Sequence, residues 1–245
     1  MPKKKRLDQL LVERGLATTP AHAQACIMAG EIFVNGTVSQ KAGTPTAEDA
    51  VIEFVSNQPK YVSRGGEKLF GALTDLQCTV RDLVCLDVGA STGGFTDCLL
   101  QEGAAFVYTV DVGKGQLDPK IRNHPQVNPR ESFHARLLEK NLFDRELDLA
   151  VVDVSFISLK KILPFVVPCL KKNAIVLAMI KPQFEAEKKD APQGVVKNEQ
   201  VRKKILHDLS EFAGSELGLV DLRLSDAVIQ GPKGNQETFL YGRTI

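Results

Sequence analysis

The run Leu86-Asp87-Val88-Gly89-Ala90-Ser91-Thr92-Gly93-Gly94-Phe95 constrains this chain more than any other stretch. A short apolar strand over 84–88 leads into three glycines, and an apolar helical pattern over 95–100 follows directly. Gly89 lets the chain turn tightly, while Gly93 and Gly94 let backbone approach a ligand and let the helix pack on the strand. Turns of this kind belong to open sheets that bind ligands at the carboxyl ends of their strands. The remaining apolar runs fit such a sheet: 106–110, 149–154 and 174–180 read as strands, with helices over 158–170 and 199–217. Segments 219–224 and 238–241 predict the last strands, including an antiparallel pair, and Val127-Asn128-Pro129 predicts a strand that its proline confines to the sheet edge. The fold class is therefore α/β, a mostly parallel sheet covered on both faces.

The spacing of the turn, G-x-x-x-G-G, departs from the dinucleotide pattern G-x-G-x-x-G, and Asp87 stands where a pyrophosphate would be repelled. That disfavours NAD and favours a ligand with a positive end. S-adenosylmethionine qualifies, since it carries a sulfonium and an amino group and no phosphate. Asp111, 24 positions after Asp87, ends the second strand near the offset of about 20 residues at which a carboxylate accepts ribose hydroxyls in such folds. The candidate cofactor-binding set is Asp87, Gly89, Ser91, Thr92, Gly93, Gly94, Phe95, Asp111 and Asp153. Asp153 and Lys181 stand out further as ionisable residues that follow apolar strands abruptly. Lys68, in a helical pattern, and Glu237, at the start of the last strand, read singly as solvated surface.

The front of the chain predicts a separate small α+β domain. Leu7, Leu10 and Leu11 share a face of a helix over 7–14, ended by Gly15. Thr19 and Pro20 start a second helix that stops at Gly30. A hairpin joins Ile32-Phe33-Val34 to Thr37-Val38 through Asn35-Gly36, and a third strand over 51–55 precedes a polar linker over 56–60. The boundaries are 1–59 and 60–245. Net charge is +1, with 7 basic and 6 acidic residues in 1–60 and 24 of each beyond, which argues against coating nucleic acid by bulk charge and leaves local patches and shape. Five scattered cysteines offer neither a disulfide framework nor a CxxC metal site, so no metal is expected. No apolar stretch reaches the ~20 residues of a membrane span, and Met-Pro-Lys-Lys-Lys-Arg has no secretion-signal core behind it, so an intracellular protein is expected.

The ordered motifs DVGASTGGFTD, VDVGKGQLDPKIR, VVDVSFISLKKILP, MIKPQFE and GPKGNQETFLY, behind a front unit containing AGEIFVNG, closely resemble the TlyA or haemolysin A family. These are ribosomal RNA ribose 2′-O-methyltransferases with an S-four-type RNA-binding domain ahead of an FtsJ-like catalytic domain. The resemblance covers nearly the whole chain. It implies a Rossmann-like, S-adenosylmethionine-dependent methyltransferase sheet in the cytoplasm, ribosomal RNA or a ribosomal subunit as partner, and a cytidine target. The Lys-Asp-Lys-Glu catalytic set of FtsJ-like enzymes falls on Lys68, Asp153, Lys181 and Glu237, so resemblance promotes Lys68 and Glu237 to catalytic candidates. Lys3, Lys4, Lys5, Arg6, Arg14 and Lys41 become the basic candidates for gripping RNA, with Arg64 at the domain junction. One departure is His134, where the family usually has Asn. Three rival readings remain: a pore former, suggested by the older family name; an RNA-binding module with an inert transferase domain; and a methyltransferase acting on a small molecule or protein, which would leave the front domain without a task. The first lacks a spanning segment or a strongly amphipathic helix; the second sits poorly with all four catalytic residue types being present.

Overall fold

Threonine and proline set the first well-capped helix of the chain, and the front unit is built around it. The computed structural model describes residues 3–54 and 59–245, and the chain divides into two units, Met1–Pro59 and Lys60–Ile245. In the front unit β1 (Lys4–Arg6) runs into α1 (Leu7–Glu13), followed by α2 (Pro20–Met28), β2 (Ile32–Val34), β3 (Thr37–Val38), β4 (Pro45–Ala47) and β5 (Ile52–Phe54). The Thr19 hydroxyl accepts the His22 N–H at 3.1 Å and Pro20 fills the first helical position, where its missing N–H costs nothing. Leu7, Leu11, Ala23, Ile27 and Ile32 form the core between the helices and the three-stranded sheet β3–β2–β5. Lys4–Arg6 is no tail: it pairs antiparallel with β4, a second small sheet that three-residue strands signal too weakly for sequence to show. Residue 55 of the third strand and most of the 56–60 linker lie outside the described residues.

The second unit opens with α3 (Arg64–Asp75) and then alternates: β6 (Val84–Val88), α4 (Gly94–Gln101), β7 (Phe106–Val110), α5 (Pro119–Arg122), β8 (Val127–Arg130), β9 (Leu147–Val152), α6 (Leu163–Val166), β10 (Leu170–Ile180), α7 (Pro182–Glu185), α8 (Glu199–Ser215), β11 (Val220–Asp226) and β12 (Thr238–Arg243). Seven strands lie in the order β11-β12-β10-β9-β6-β7-β8, with β10 to β8 parallel and β12 antiparallel to both its neighbours. Pro129 sits in the edge strand β8, where no further ladder needs its N–H. Side-chain alternation splits the core into two layers. Leu86, Val88, Tyr108, Val110, Ala150 and Val152 face α8 with its Leu209 and Phe212, whereas Cys85, Val107, Leu149 and Val151 face α3 and α4. The single helix expected over 158–170 is instead a 3-10 turn at Leu159–Lys161, α6, and another at Val167–Cys169, because Pro164 and Pro168 each remove a helical donor. No helix among the described residues is long and apolar enough to cross a membrane.

The strand order reverses between β6 and β9, since the chain builds outward through β7 and β8 and then returns to the other side of β6. Ligands of open α/β sheets bind at such a switch point. Close packing of α4 against α3 shapes its rim: a Cβ on Gly94 would overlap Ser63 Oγ and lie 3.0 Å from the Gly66 nitrogen. Gly94→Ala is therefore expected to destabilise the unit by about 1–3 kcal/mol, as overpacking does, read from urea unfolding. Adding Ser63→Gly should recover part of that loss; full stability of Gly94→Ala alone would show that α3 yields freely.

Candidate active site

Gly89 brings the two sides of the switch point together. Its φ is +87°, and a Cβ there would overlap the carbonyl oxygen of Asp153, so only glycine lets the turn after β6 lie on the chain leaving β9. The ladder continues into that contact, because Asp153 N–H donates to Val88 O at 2.8 Å and Gly89 N–H to Val110 O at 2.8 Å. Above it opens a cavity of about 550 Å³ whose walls include Gly89, Ser91, Asp111, Phe133, His134, Asp153 and Phe156. That volume is in the range of small-molecule sites.

Asp111 stands one residue beyond β7 and borders the cavity. Its carboxylate is oriented by backbone, accepting Ser91 N–H at 2.8 Å and Gly113 N–H at 2.6 Å, which leaves lone pairs for hydroxyl donors. His134 also borders the cavity. Its Nδ1 accepts the Arg136 N–H at 3.1 Å, capping the 3-10 turn Ala135–Leu137, so the imidazole does here the acceptor work that an amide side chain would do. Among the other expected cofactor residues, Gly89 and Ser91 line the cavity, but Thr92, Gly93, Gly94 and Phe95 do not. Phe95 is buried in the layer between sheet and helices, its ring centroid 5.8 Å from that of Phe239. Asp87 does not line the cavity either. Its neighbour Val88 points to the cavity side, so strand parity turns Asp87 to the opposite face, under α4, where Oδ2 accepts the Thr96 hydroxyl at 2.6 Å. Full burial pushes its carboxyl up to about 7, against the pull of the Thr96 hydrogen bond.

Four ionisable residues form two ion pairs, and Asp153 of the first borders the cavity. Lys181, which follows β10, lies 2.5 Å from Asp153 Oδ1 and donates to Ser155 Oγ at 2.9 Å. Lys68, on the buried side of α3, donates to Glu237 Oε2 at 2.6 Å, with 10% and 2% of the two side chains exposed. Burial raises the Asp153 carboxyl, Lys181 draws it down, and the charges of Glu237 and Lys68 are also felt there, so the two pairs form one electrostatic unit. Sequence reasoning missed the residues that border this unit. Phe156 is 89% exposed with φ +64°, a conformation bulky residues avoid, and its ring lies 5.0 Å from Phe184. Asn235, buried, holds the 194–196 segment by accepting Val196 N–H at 3.0 Å and donating to Gly194 O at 2.9 Å.

The basic residues of the front unit divide. Lys5 pairs with Glu13 and Glu48, Arg6 with Asp8, and Arg14 donates to the carbonyls of Ala50 and Glu48. Those head groups serve the unit's own structure, while Lys3, Lys4 and Lys41 are exposed. Arg64 is exposed at the first turn of α3, one turn ahead of Lys68.

Comparison with known proteins places this geometry in a family. A model for FtsJ-like methyltransferases matches residues 61–244, and one for S4 domains matches residues 5–52. The chain is 39% identical over its whole length to the 16S/23S rRNA (cytidine-2′-O)-methyltransferase TlyA of Mycobacterium tuberculosis, covering 91% of that protein. It is 40% identical to Hemolysin A of Brachyspira hyodysenteriae, over 95% of this chain and 97% of that one. A solved structure from Streptococcus thermophilus, named as a haemolysin, superposes with a TM-score of 0.74 at 37% identity, covering 100% of this chain and 90% of its own.

The position of Asp87 has a consequence for stability. Its folded-state pKa lies near 7, against about 4 in an unfolded chain. The folded protein therefore holds the extra proton between those values, and stability falls as pH rises through that window before levelling above it. Thermal unfolding without ligand from about pH 5 to pH 8 should show the decline, and Asp87→Asn should flatten it. An unchanged slope in the variant would place the proton elsewhere.

Proposed function

The chain belongs to the FtsJ-like methyltransferase family and carries an S4 domain at its front, and from that premise we propose that it methylates the ribose 2′-hydroxyl of a cytidine in ribosomal RNA. The observation that carries this reading is the pairing of Lys181 with Asp153 at the rim of the switch-point cavity. S-adenosylmethionine, when bound, supplies an electrophilic methyl on a sulfonium. The residues fit it: Asp111 offers carboxylate lone pairs to ribose hydroxyls, the Gly89 turn lies against the Asp153 carbonyl and so brings Ser91 and Asp153 to one cavity, and Val112, Phe133 and His134 wall that cavity for a planar ring.

The acceptor side is built for alignment. A ribose hydroxyl is a weak nucleophile, so holding its oxygen in line is most of the catalytic task. Lys181, paired with Asp153, contacts the 2′-oxygen and holds its lone pair in line with the methyl. The hydroxyl proton leaves to solvent as the new carbon–oxygen bond makes that oxygen strongly acidic. Lys68 and Glu237, paired with each other, bear on Asp153 in opposite directions, the glutamate raising its carboxyl and the lysine drawing it down. At the mouth, Phe156 and Phe184 present aromatic faces to a base drawn out of its stack, which is how single-stranded RNA targets are commonly held. The S4 domain grips the surrounding RNA, and a ribosomal substrate puts the protein's work in the cytoplasm.

Lys181→Ala is expected to abolish labelled methyl transfer to unmethylated ribosomal subunits while calorimetric binding of S-adenosylhomocysteine persists. Product RNA from the wild-type reaction should yield a dinucleotide that resists mild alkali at the modified ribose. Near-normal turnover by Lys181→Ala would remove that residue from the mechanism, and label recovered on a base would refute the ribose assignment.

A further inference from the structure

The two loops that carry the catalytic pair leave the sheet side by side, and the last registered pair of the β9–β10 ladder is Val152 with Ala178. Beyond it three side-chain links join them. Lys181 reaches Asp153 and Ser155, and Phe184 meets Phe156; both of these links involve residues that border the cavity. The third link stands apart from the cavity. Glu185 Oε2 accepts the Ser158 hydroxyl at 2.6 Å, and Oε1 accepts the Leu159 N–H at 2.8 Å.

We propose that Glu185 is a positioning residue for the methyl transfer, its carboxylate clamping the loop after β9 to the loop after β10 and so setting where Lys181 stands against Asp153 and Phe184 against Phe156. Both ends of the clamp are rigid. On one side Lys181 and Glu185 bracket a single helical turn that starts at Pro182, where Phe184 N–H donates to Lys181 O and Ala186 N–H to Pro182 O, each at 2.9 Å. A shift at Glu185 is thereby passed to Lys181. On the other side Leu159 is rooted in the core at 1% exposure, and Ser158 Oγ also accepts Lys160 N–H at 3.2 Å, starting the 3-10 turn. Glu185 thus grips a fixed point rather than a mobile loop. Burial raises its carboxyl while the two hydrogen bonds from Ser158 and Leu159 hold it down, which marks a carboxylate kept half-buried for the sake of those donors.

The inference rests on the methyl-transfer reading, and the test separates the two. Wild type, Glu185→Ala and Glu185→Gln are compared for kcat and KM on unmethylated ribosomal subunits and for S-adenosylhomocysteine affinity and stoichiometry by calorimetry. Glu185→Ala should lose about tenfold to a hundredfold in kcat, the effect of a displacement near 1 Å at a reacting group. Cofactor affinity and the fraction of binding-competent protein should stay within about twofold of wild type. Glu185→Gln keeps an acceptor for Leu159 N–H and a donor toward Ser158 Oγ, so it should recover most of the lost kcat. The clamp is refuted if kcat of Glu185→Ala stays at the wild-type value, if it falls only in proportion to binding-competent protein, or if Gln is as damaging as Ala. A wild-type enzyme inactive on this RNA would instead refute the proposed function.

Discussion

The contact of Gly89 with the Asp153 carbonyl is the constraint on which the rest of the site depends. β6 and β9 are neighbours at the point where strand order reverses, so the chain leaves them toward different parts of the fold and would open a wide cleft. A glycine with positive φ lets the two exits touch before they part. Ser91 and Asp111 on one side and Asp153 on the other then border one cavity. For a reaction whose barrier is lowered chiefly by alignment, that approach matters more than any single catalytic charge.

Charge placement supports the same conclusion from energetics. A buried ion pair gives up hydration that its mutual attraction rarely restores in full, so an apolar pair of similar volume would hold α3 to β12 about as well. Lys68 and Glu237 are nonetheless charged, buried and in contact. Their field reaches Asp153, where burial and Glu237 act in one direction and Lys181 and Lys68 in the other. Glu237 and Lys68 thus oppose one another at Asp153, and burial, the largest influence there, raises its carboxyl.

Much of this was legible in the sequence for identifiable reasons. The strand, glycine turn and helix over residues 84–101 carry their own periodicity, and Asp153 and Lys181 are conspicuous because a charge follows an apolar run. Lys68 and Glu237 are not, since the burial of Lys68 comes from tertiary packing and its helix would show an ordinary polar face; only family resemblance singled them out. Which face Asp87 takes is a matter of strand parity, which turns it under α4, whereas Asp111, just past the end of β7, is free of that alternation and borders the cavity. The partners of Glu185 lie 27 and 26 residues away, beyond the reach of any local pattern.

The near-neutral charge of the chain takes on a specific meaning in the front unit. Arg6 is drawn to Asp8, whose carboxyl it holds down at about 2 with help from Gln24, and Arg14 ties the end of α1 to the carbonyls of Glu48 and Ala50. Cations used this way fix the shape of the unit and contribute less to phosphate binding than their number suggests. A surface whose few exposed lysines stand among such ion pairs offers a partner its shape more than a net charge.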